Sequence, residues 1–255
     1  MLFRQIRNAT VLLEYAGKRL LIDPWLIPKA AGPAFQAMDP QMQAVHSPLV
    51  DLPMRAEELL QHIDAICVTH IHADHFEHAS AQLLNKATKM FVQNEADFRQ
   101  LTEWGFRDVE ILLESGTVWN GIHLFKTRGR HGETPETAAG EVSGLVLKSA
   151  EEKTLYLAGD TIWYSEVAET IRRFAPEIIV LNCGDAYSQR YGRLIMNAED
   201  VIQVCLQAPE AVVIASHMEA VNHARLTRQQ LKTYVQKHHA AAKLLIPQDG
   251  ETFEF

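Results

Sequence analysis

A short apolar run that ends in a cluster of histidines is the most constraining feature of the sequence. The run AICVTH (65–70) continues directly into IHADHFEH, so residues 68–78 hold four histidines and one aspartate. An apolar, β-branched run of about four to eight residues is typical of a buried strand. Because side chains alternate along a strand, His70 and His72 point to the same side where this strand ends.

Strand-like runs fall into two series along the chain. The first reads TVLLEY, KRLLID, AICVTH, KMFVQ and VEILL, and the second reads GIHLFKT, SGLVLKS, TLYLAGD, IIVLNCG, AVVIASH and KLLIP. Helical patterns cover 165–175, 197–207 and 227–237, and Asn197 and Thr227 are suitable N-caps for the last two. Hairpins followed by strand-helix alternation predict two mixed sheets packed together with helices outside, an α/β sandwich in one domain over residues 1–255.

Composition limits the class of protein and its location. The opening MLFRQIRNATVLLEY lacks the apolar stretch of a secretion signal, and no segment approaches the about 20 apolar residues of a membrane span. Cys67, Cys183 and Cys205 are too widely spaced for a CxxC motif. We therefore expect a cytoplasmic protein without a membrane span.

Charge and loop content indicate the kind of partner. The net charge of −8, without a run of Lys and Arg, disfavours nucleic acid and favours a small-molecule substrate. Residues 24–53, rich in Pro and Ala, predict a long surface excursion, and loops of such length are often functional. The sequence leaves the role of this excursion open, together with the oligomeric state, and a homo-oligomer is compatible with it.

The histidine cluster has the composition of a metal site. Asp74 and His75 follow the strand in the turn. Imidazole nitrogen and carboxylate oxygen are ligands that Zn²⁺ prefers, and a His-x-His pair can hold one ion while Asp-His reaches a second. A solvated polar loop between strand and helix is the alternative. His78 lies one turn further and is expected to be an ordinary surface residue.

The pattern T-H-x-H-x-D-H at the end of a buried strand resembles the metallo-β-lactamase superfamily. Proteins of that family bring further ligands from the ends of later strands, and here His131 in GRHGET, Asp160 in LAGDT and His217 in VIASHM follow in the expected order. The opening ATVLLEYAGKRLLIDPW resembles the family's N-terminal hairpin. The resemblance spans nearly the whole chain and is greatest to the branch that includes the L-ascorbate-6-phosphate lactonases.

This resemblance implies an αββα sandwich with a two-metal centre. One ion would be bound by His70, His72 and His131, and a second by Asp74, His75 and His217, with Asp160 bridging both. Zn²⁺ is preferred, with Mn or Fe as alternatives, since these ligand types suit all three metals. Taken singly, His131 could instead be a loop histidine, Asp160 a turn former and His217 a buried histidine.

The predicted activity follows from such a centre. Two cations lower the pKa of a shared water and polarise the substrate, so the resemblance implies a hydrolase that uses a metal-bridging hydroxide on an ester, lactone or phosphodiester. Asp74 and Asp160 would orient the hydroxide and handle its proton. Asp23 in LIDPW would fix a ligand imidazole, or else would close a turn before Pro24. The competing class is a non-hydrolytic metal protein, either a mono-iron dioxygenase or a metal-binding sensor.

The substrate is predicted to be a small anionic metabolite. Arg190, Arg193 and Tyr187 lie in the loop NCGDAYSQRYGRLIMN, which should open near the ligands, and His223 would line the mouth of the pocket. Guanidinium groups match phosphate or carboxylate, and a cationic rim would concentrate anions near the metals. Alternatively, the arginines are solvated or pair with nearby acids such as Asp185.

Overall fold

The computed structural model describes residues 1–134, 139–238 and 243–255. One mixed sheet is built from β1 (Leu2–Arg7), β2 (Thr10–Tyr15), β3 (Lys18–Ile22), β4 (Ala65–Cys67), β5 (Lys89–Val92), β6 (Val109–Ile111) and β16 (Thr252–Glu254). Its order is β16-β1-β2-β3-β4-β5-β6. The pairs from β16 to β3 are antiparallel, whereas β3, β4, β5 and β6 run parallel.

A second mixed sheet packs against the first. It comprises β7 (Thr117–Trp119), β8 (Ile122–Arg128), β9 (Ser143–Lys148), β10 (Leu155–Leu157), β11 (Ile178–Asn182), β14 (Val212–Ser216) and β15 (Leu244–Leu245). Its order is β15-β14-β11-β10-β9-β8-β7. Strands β10, β11, β14 and β15 run parallel, and a separate hairpin joins β12 (Tyr187–Ser188) to β13 (Gly192–Arg193).

Helices cover the outer face of each sheet. They are α1 (Ala56–Leu59), α2 (His78–Leu83), α3 (Glu95–Glu103), α4 (Ser165–Phe174), α5 (Ala198–Gln207) and α6 (Arg228–Lys237). One apolar cluster lies between the sheets and joins residues such as Leu13 and Leu147, while two others pack helices onto the sheets. This layering confirms the predicted sandwich of two mixed sheets flanked by helices; the single-domain assignment stays a prediction.

Local signals for the later helices are confirmed as well. The Asn197 side chain caps α5 by accepting a hydrogen bond from the Asp200 backbone, and Thr227 forms a capping box with Gln230 at the start of α6. The exposed His78 begins α2, as expected for a surface residue. No helix within the described ranges is long and apolar enough to cross a membrane.

The excursion over residues 24–53 contains no helix or strand within its described length. It is tied to the body by Asn222, whose side chain accepts a hydrogen bond from the Phe35 backbone N–H at 3.0 Å and donates to the carbonyl oxygens of Phe35 and Met42 at 2.7 and 2.9 Å. Side chain to backbone bonds of this kind fix a loop without regular structure. The excursion is therefore held over one end of the sandwich.

Candidate metal centre

The predicted ligands meet because several strands end at the same edge. Strands β10 and β14 belong to the parallel part of the second sheet, and β4 belongs to the parallel part of the first. Carboxyl ends of parallel strands share one edge, where ligands of α/β proteins commonly bind. His70 follows β4, Asp160 follows β10 and His217 follows β14.

The structure brings together all the ligands that the resemblance implied. Three groups have ligand atoms within 4.8 Å of one another: His70 with His72 and His131, His70 with His75 and Asp160, and Asp74 with His75 and His217. The first and third groups match the two predicted ligand sets. Asp160 lies between them, with carboxylate oxygens 3.2 Å from His75 Nε2, 3.7 Å from His131 Nδ1 and 3.8 Å from His217 Nε2.

Asp23 orients the turn that carries two of these ligands. Its Oδ2 lies 2.9 Å from His75 Nδ1 and accepts the Thr69 hydroxyl at 2.7 Å, while its Oδ1 accepts the Thr69 backbone N–H at 2.7 Å. The contact on Nδ1 leaves His75 Nε2 directed at the ligand cluster, which is how carboxylates fix ligand imidazoles in metal sites. The arrangement matches the role predicted for Asp23.

Other ligands are fixed by contacts that the sequence reasoning missed. His131 Nδ1 lies 2.9 Å from the Leu194 carbonyl oxygen, and Asn182 Nδ2 donates to Asp160 Oδ1 at 2.7 Å. Asn8 Nδ2 donates to the Asp74 carbonyl oxygen at 2.9 Å. Asn182 is the last residue of a buried strand, and this position near the ligands could have identified it from the sequence. No feature of the sequence marked Asn8, which lies in a hairpin turn.

Backbone geometry at this edge is also specialised. Asp23 and His217 have φ of +42° and +58°, in the left-handed region that few non-glycine residues adopt. Gly159, directly before Asp160, has φ of +68°, and a Cβ there would collide with the Ser143 carbonyl oxygen. Strained residues of this kind cluster at functional sites. The Gly-Asp pair therefore meets a steric need, since a side chain before Asp160 would displace the turn.

The charges of the cluster fit divalent cations. Asp74 and Asp160 are buried, and among the described residues each pairs with histidines rather than with Lys or Arg. A buried carboxylate that lacks a compensating cation is costly. Imidazole and carboxylate donors converging on one buried volume suit Zn²⁺, Mn²⁺ or Fe²⁺, so the residues present fit the predicted metals.

Protonation of the cluster follows from burial and from the carboxylates. Burial, together with repulsion from His75 and His72, holds the pKa of His70 well below its ordinary value, and burial likewise lowers the pKa of His131. Burial would lower the pKa of His75 too, but the carboxylates of Asp160 and Asp23 outweigh it and raise the pKa. His70 and His131 are thus neutral, the form in which an imidazole binds a metal.

A cavity of about 340 Å³ opens at the cluster. One side presents the predicted ligands His72, Asp74, His131 and Asp160. The remaining lining residues are Phe35, Gln36, Ala73, Ala139, Ser188, Tyr191, Leu194 and His223. The described lining therefore contains neither Lys nor Arg, and away from the ligands it combines apolar side chains such as Phe35 and Leu194 with uncharged polar ones such as Gln36 and Ser188.

The predicted substrate residues take different positions. His223 lines the cavity, and burial lowers its pKa to about 4. Arg190 is exposed and stacks on Tyr191 at 5.1 Å, whereas Arg193 Nη1 pairs with Asp200 at 3.0 Å and its Nε lies 3.4 Å from Glu133.

Tyr187 stacks with the Arg225 guanidinium at 4.3 Å. Neither this tyrosine nor the two arginines is among the described lining residues of the cavity. Phe35 and Leu194 do line it, and the sequence reasoning missed both because loop residues show no periodicity.

The chain is similar in sequence to proteins of one known family. A profile described as the Beta-lactamase superfamily domain matches residues 18–218. The chain is 44% identical over 253 residues to UPF0173 protein YddR of Bacillus subtilis, covering 98% of each protein. It is 28% identical over 214 residues to the UPF0173 metal-dependent hydrolase MJ1163 of Methanocaldococcus jannaschii, covering 82% of this chain and 90% of the relative.

Solved structures share the fold. The crystal structure of isothiocyanate hydrolase from Delia radicum gut bacteria superposes with a TM-score of 0.93 at 39% identity, covering 100% of this chain and 99% of the other. Together with the observed layers, this similarity confirms the expected metallo-β-lactamase-type sandwich.

Proposed function

We propose that this chain, which belongs to the metallo-β-lactamase superfamily and within it to the UPF0173 metal-dependent hydrolases, hydrolyses a small uncharged substrate at a two-metal centre. The substrate class that fits best is an isothiocyanate, a neutral molecule with an electrophilic carbon and an apolar substituent. Two divalent ions, when bound, would lower the pKa of a water and polarise the substrate.

The observation that carries this proposal is the lining of the cavity. Besides the predicted ligands, Phe35, Tyr191 and Leu194 line the cavity, and the described lining holds neither Lys nor Arg. An apolar wall favours an apolar substituent by removing it from water, whereas an anion would gain no charge-assisted hydrogen bond there. Isothiocyanate hydrolase, similar over the full length of this chain, supports the same substrate class.

Different residues of the site activate the water and position the groups that do so. Water oxygen bonds to the central carbon of the isothiocyanate, the carbon–nitrogen bond breaks, and the products are an amine and carbonyl sulfide. Asp74 and Asp160, on the cavity surface, hold the attacking water through their carboxylate oxygens and accept its proton. Asn182 and Asp23 keep Asp160 and His75 in place for this step.

Esters, lactones and phosphodiesters, the substrates that the resemblance implied, are the alternatives to an isothiocyanate. A neutral lactone, like an isothiocyanate, is uncharged and has an electrophilic carbon, so we expect it to be hydrolysed faster than the phosphodiester. An anionic phosphodiester would face the carboxylates of Asp74 and Asp160 without a described lining cation beyond the metals. The arrangement thus favours neutral substrates over the anionic metabolite predicted from the arginines.

The test is a substrate panel with purified protein loaded separately with Zn²⁺, Mn²⁺ or Fe²⁺. Benzyl isothiocyanate, a neutral lactone and bis(4-nitrophenyl) phosphate are compared by kcat/KM, with a chelated sample as the blank. We expect kcat/KM for the isothiocyanate to exceed that for the phosphodiester by about 100-fold, because only the phosphodiester brings a negative charge to a described lining that holds neither Lys nor Arg. A phosphodiester that reacts fastest would overturn the proposed substrate class.

A further inference from the structure

The cavity lining contains a buried imidazole that belongs to neither predicted metal site. His223 is 8% exposed and lines the cavity, and its Nδ1 is buried without a hydrogen-bond partner among the described residues. Buried polar atoms almost always have a partner, so an unpaired one calls for an explanation. The other imidazoles of the cavity lining, His72 and His131, are predicted metal ligands.

Packing, rather than a side-chain hydrogen bond, fixes the His223 ring. Its centroid lies 4.8 Å from that of Phe35, with the planes inclined at 51°, and its carbonyl oxygen accepts the Tyr187 backbone N–H at 3.3 Å. Phe35 is in turn held by its backbone bonds to Asn222. The ring is therefore held in place before any ligand arrives, as a catalytic group must be.

The unpaired nitrogen indicates which ring atom carries the proton. A buried N–H without a partner is rarer in proteins than an unsatisfied acceptor. The buried Nδ1 is therefore assigned as the unprotonated nitrogen, and the proton of the neutral ring is assigned to Nε2. Since the ring lines the cavity while Nδ1 is sealed, the Nε2 edge is the part of the ring available to a ligand.

We propose that His223 is a catalytic residue whose Nε2–H donates a hydrogen bond to the nitrogen of the bound isothiocyanate. This inference rests on the proposed function. The nitrogen carries the apolar substituent, so placing that substituent against Phe35 brings the nitrogen next to His223. The carbon and sulfur then lie towards the ligand side of the cavity, where Asp74 and Asp160 hold the water.

The hydrogen bond matters most while charge builds up on nitrogen. When the water oxygen bonds to carbon, the π-electron pair of the C=N bond moves to nitrogen, and His223 stabilises it. One water proton ends on this nitrogen and gives a thiocarbamate; the second follows as the C–N bond breaks, releasing amine and carbonyl sulfide. His223 ends the cycle in its starting form, so no other reactant is needed.

The experiment compares His223→Met with His223→Gln in the metal-loaded protein. Both replacements are unbranched and of similar length, but only Gln offers an N–H near the position of Nε2. With benzyl isothiocyanate we expect His223→Met to lower kcat by about 100-fold with KM within threefold, and His223→Gln to recover at least tenfold of that loss. Metal content should equal that of wild type in both variants.

A second substrate separates catalysis from a packing defect. Phenyl isothiocyanate releases a much less basic amine than benzyl isothiocyanate, so its nitrogen needs less stabilisation, and the loss in His223→Met should shrink for it. A packing defect would slow both substrates equally. The exposed His123, on β8, provides the control variant His123→Met, which should behave as wild type.

The results distinguish this inference from the proposed function. Failure of the wild type to hydrolyse either isothiocyanate would overturn the substrate class and, with it, the role of His223. Turnover by the wild type, with equal activity in His223→Met and His223→Gln, would overturn the role of His223 alone. Loss of metal from both variants would also overturn it, because His223 would then act on the metal centre.

Discussion

The two walls of the cavity are built in opposite ways. One wall, the ligand wall, consists of the predicted metal ligands. Three of these ligands, His70, Asp160 and His217, follow strands of the sheets, and hydrogen bonds with neighbours such as Asp23 and Asn182 fix ligand side chains. The other wall, the loop wall, is formed from the excursion over 24–53 and the loops that follow β11 and β14, and in it Phe35 packs against His223.

This difference separates chemistry from specificity. Ligands at strand ends are fixed by the sheets and cannot move without disturbing the core, so the wall that they form suits one kind of chemistry. Loops tolerate substitution and carry binding residues on a rigid scaffold. We therefore expect variants of the ligand wall to abolish activity. With the exception of His223, which we propose to be catalytic, variants of the loop wall should change which substrate is preferred.

The largest effect is expected for Asp160→Asn. An amide lacks the negative charge that Asp160 places between the two ligand groups, so this variant should lose metal and reduce kcat/KM by about 1,000-fold. Metal content by elemental analysis and kcat/KM are measured together. His131→Ala should likewise lose metal and activity; wild-type metal content and turnover in Asp160→Asn would contradict the bridging role.

A smaller effect is expected for Asp23→Asn, which alters the partner of His75 without touching a ligand atom. Removing such an orienting carboxylate commonly costs about 10–100-fold in metal affinity or activity. Thr10→Val is the matched control, because it removes the hydroxyl bond to the Asp23 carbonyl oxygen but keeps the contact of the Asp23 carboxylate with His75. Titration with Zn²⁺ measures the affinity; equal weakening in both variants would assign the effect to the turn rather than to the imidazole.

The sequence predicted the ligand wall better than the loop wall. The strand before His70 and the capping box of α6 were predicted because buried strands and helix caps leave local patterns, whereas the later ligands were implied by the resemblance to a known family. Strands β1 and β16 were missed: LFRQIR carries two arginines, and the C-terminal strand covers only three residues. Their pairing is a long-range contact that no local pattern records.

The loop wall could not be predicted from local sequence patterns. The excursion was recognised as unusual, but the position of Phe35 depends on Asn222, which is nearly two hundred residues away in sequence. The arginines were sound candidates by charge, yet Arg193 is neutralised by Asp200 and Glu133. A local sequence pattern reveals which charges are present; it does not reveal with which group each of them pairs.

Phe35→Ala should alter substrate preference while leaving the metal centre intact. Loss of a large apolar contact is expected to raise KM for benzyl isothiocyanate by about tenfold. We expect kcat to fall as well, because Phe35 contacts the His223 ring in addition to the substituent. Phe35→Leu should have an intermediate KM. A large fall in metal content in either variant would show that the two walls are not independent.

The smallest effect is expected for Arg190→Ala. Its guanidinium is exposed and stacked on Tyr191, so its removal should change KM by less than about twofold for neutral and anionic substrates alike. Steady-state kinetics with benzyl isothiocyanate and bis(4-nitrophenyl) phosphate measure this. A tenfold rise in KM confined to the phosphodiester would instead support the anionic substrate predicted from the sequence.

The central claim is that the ligand wall holds two divalent ions, and anomalous diffraction from crystals of the metal-loaded protein tests it most directly. The account predicts two anomalous peaks per chain, one next to His70, His72 and His131 and one next to Asp74, His75 and His217, each in contact with Asp160, with elemental analysis giving two ions per chain. A single peak, or two peaks of which neither touches Asp160, would contradict it.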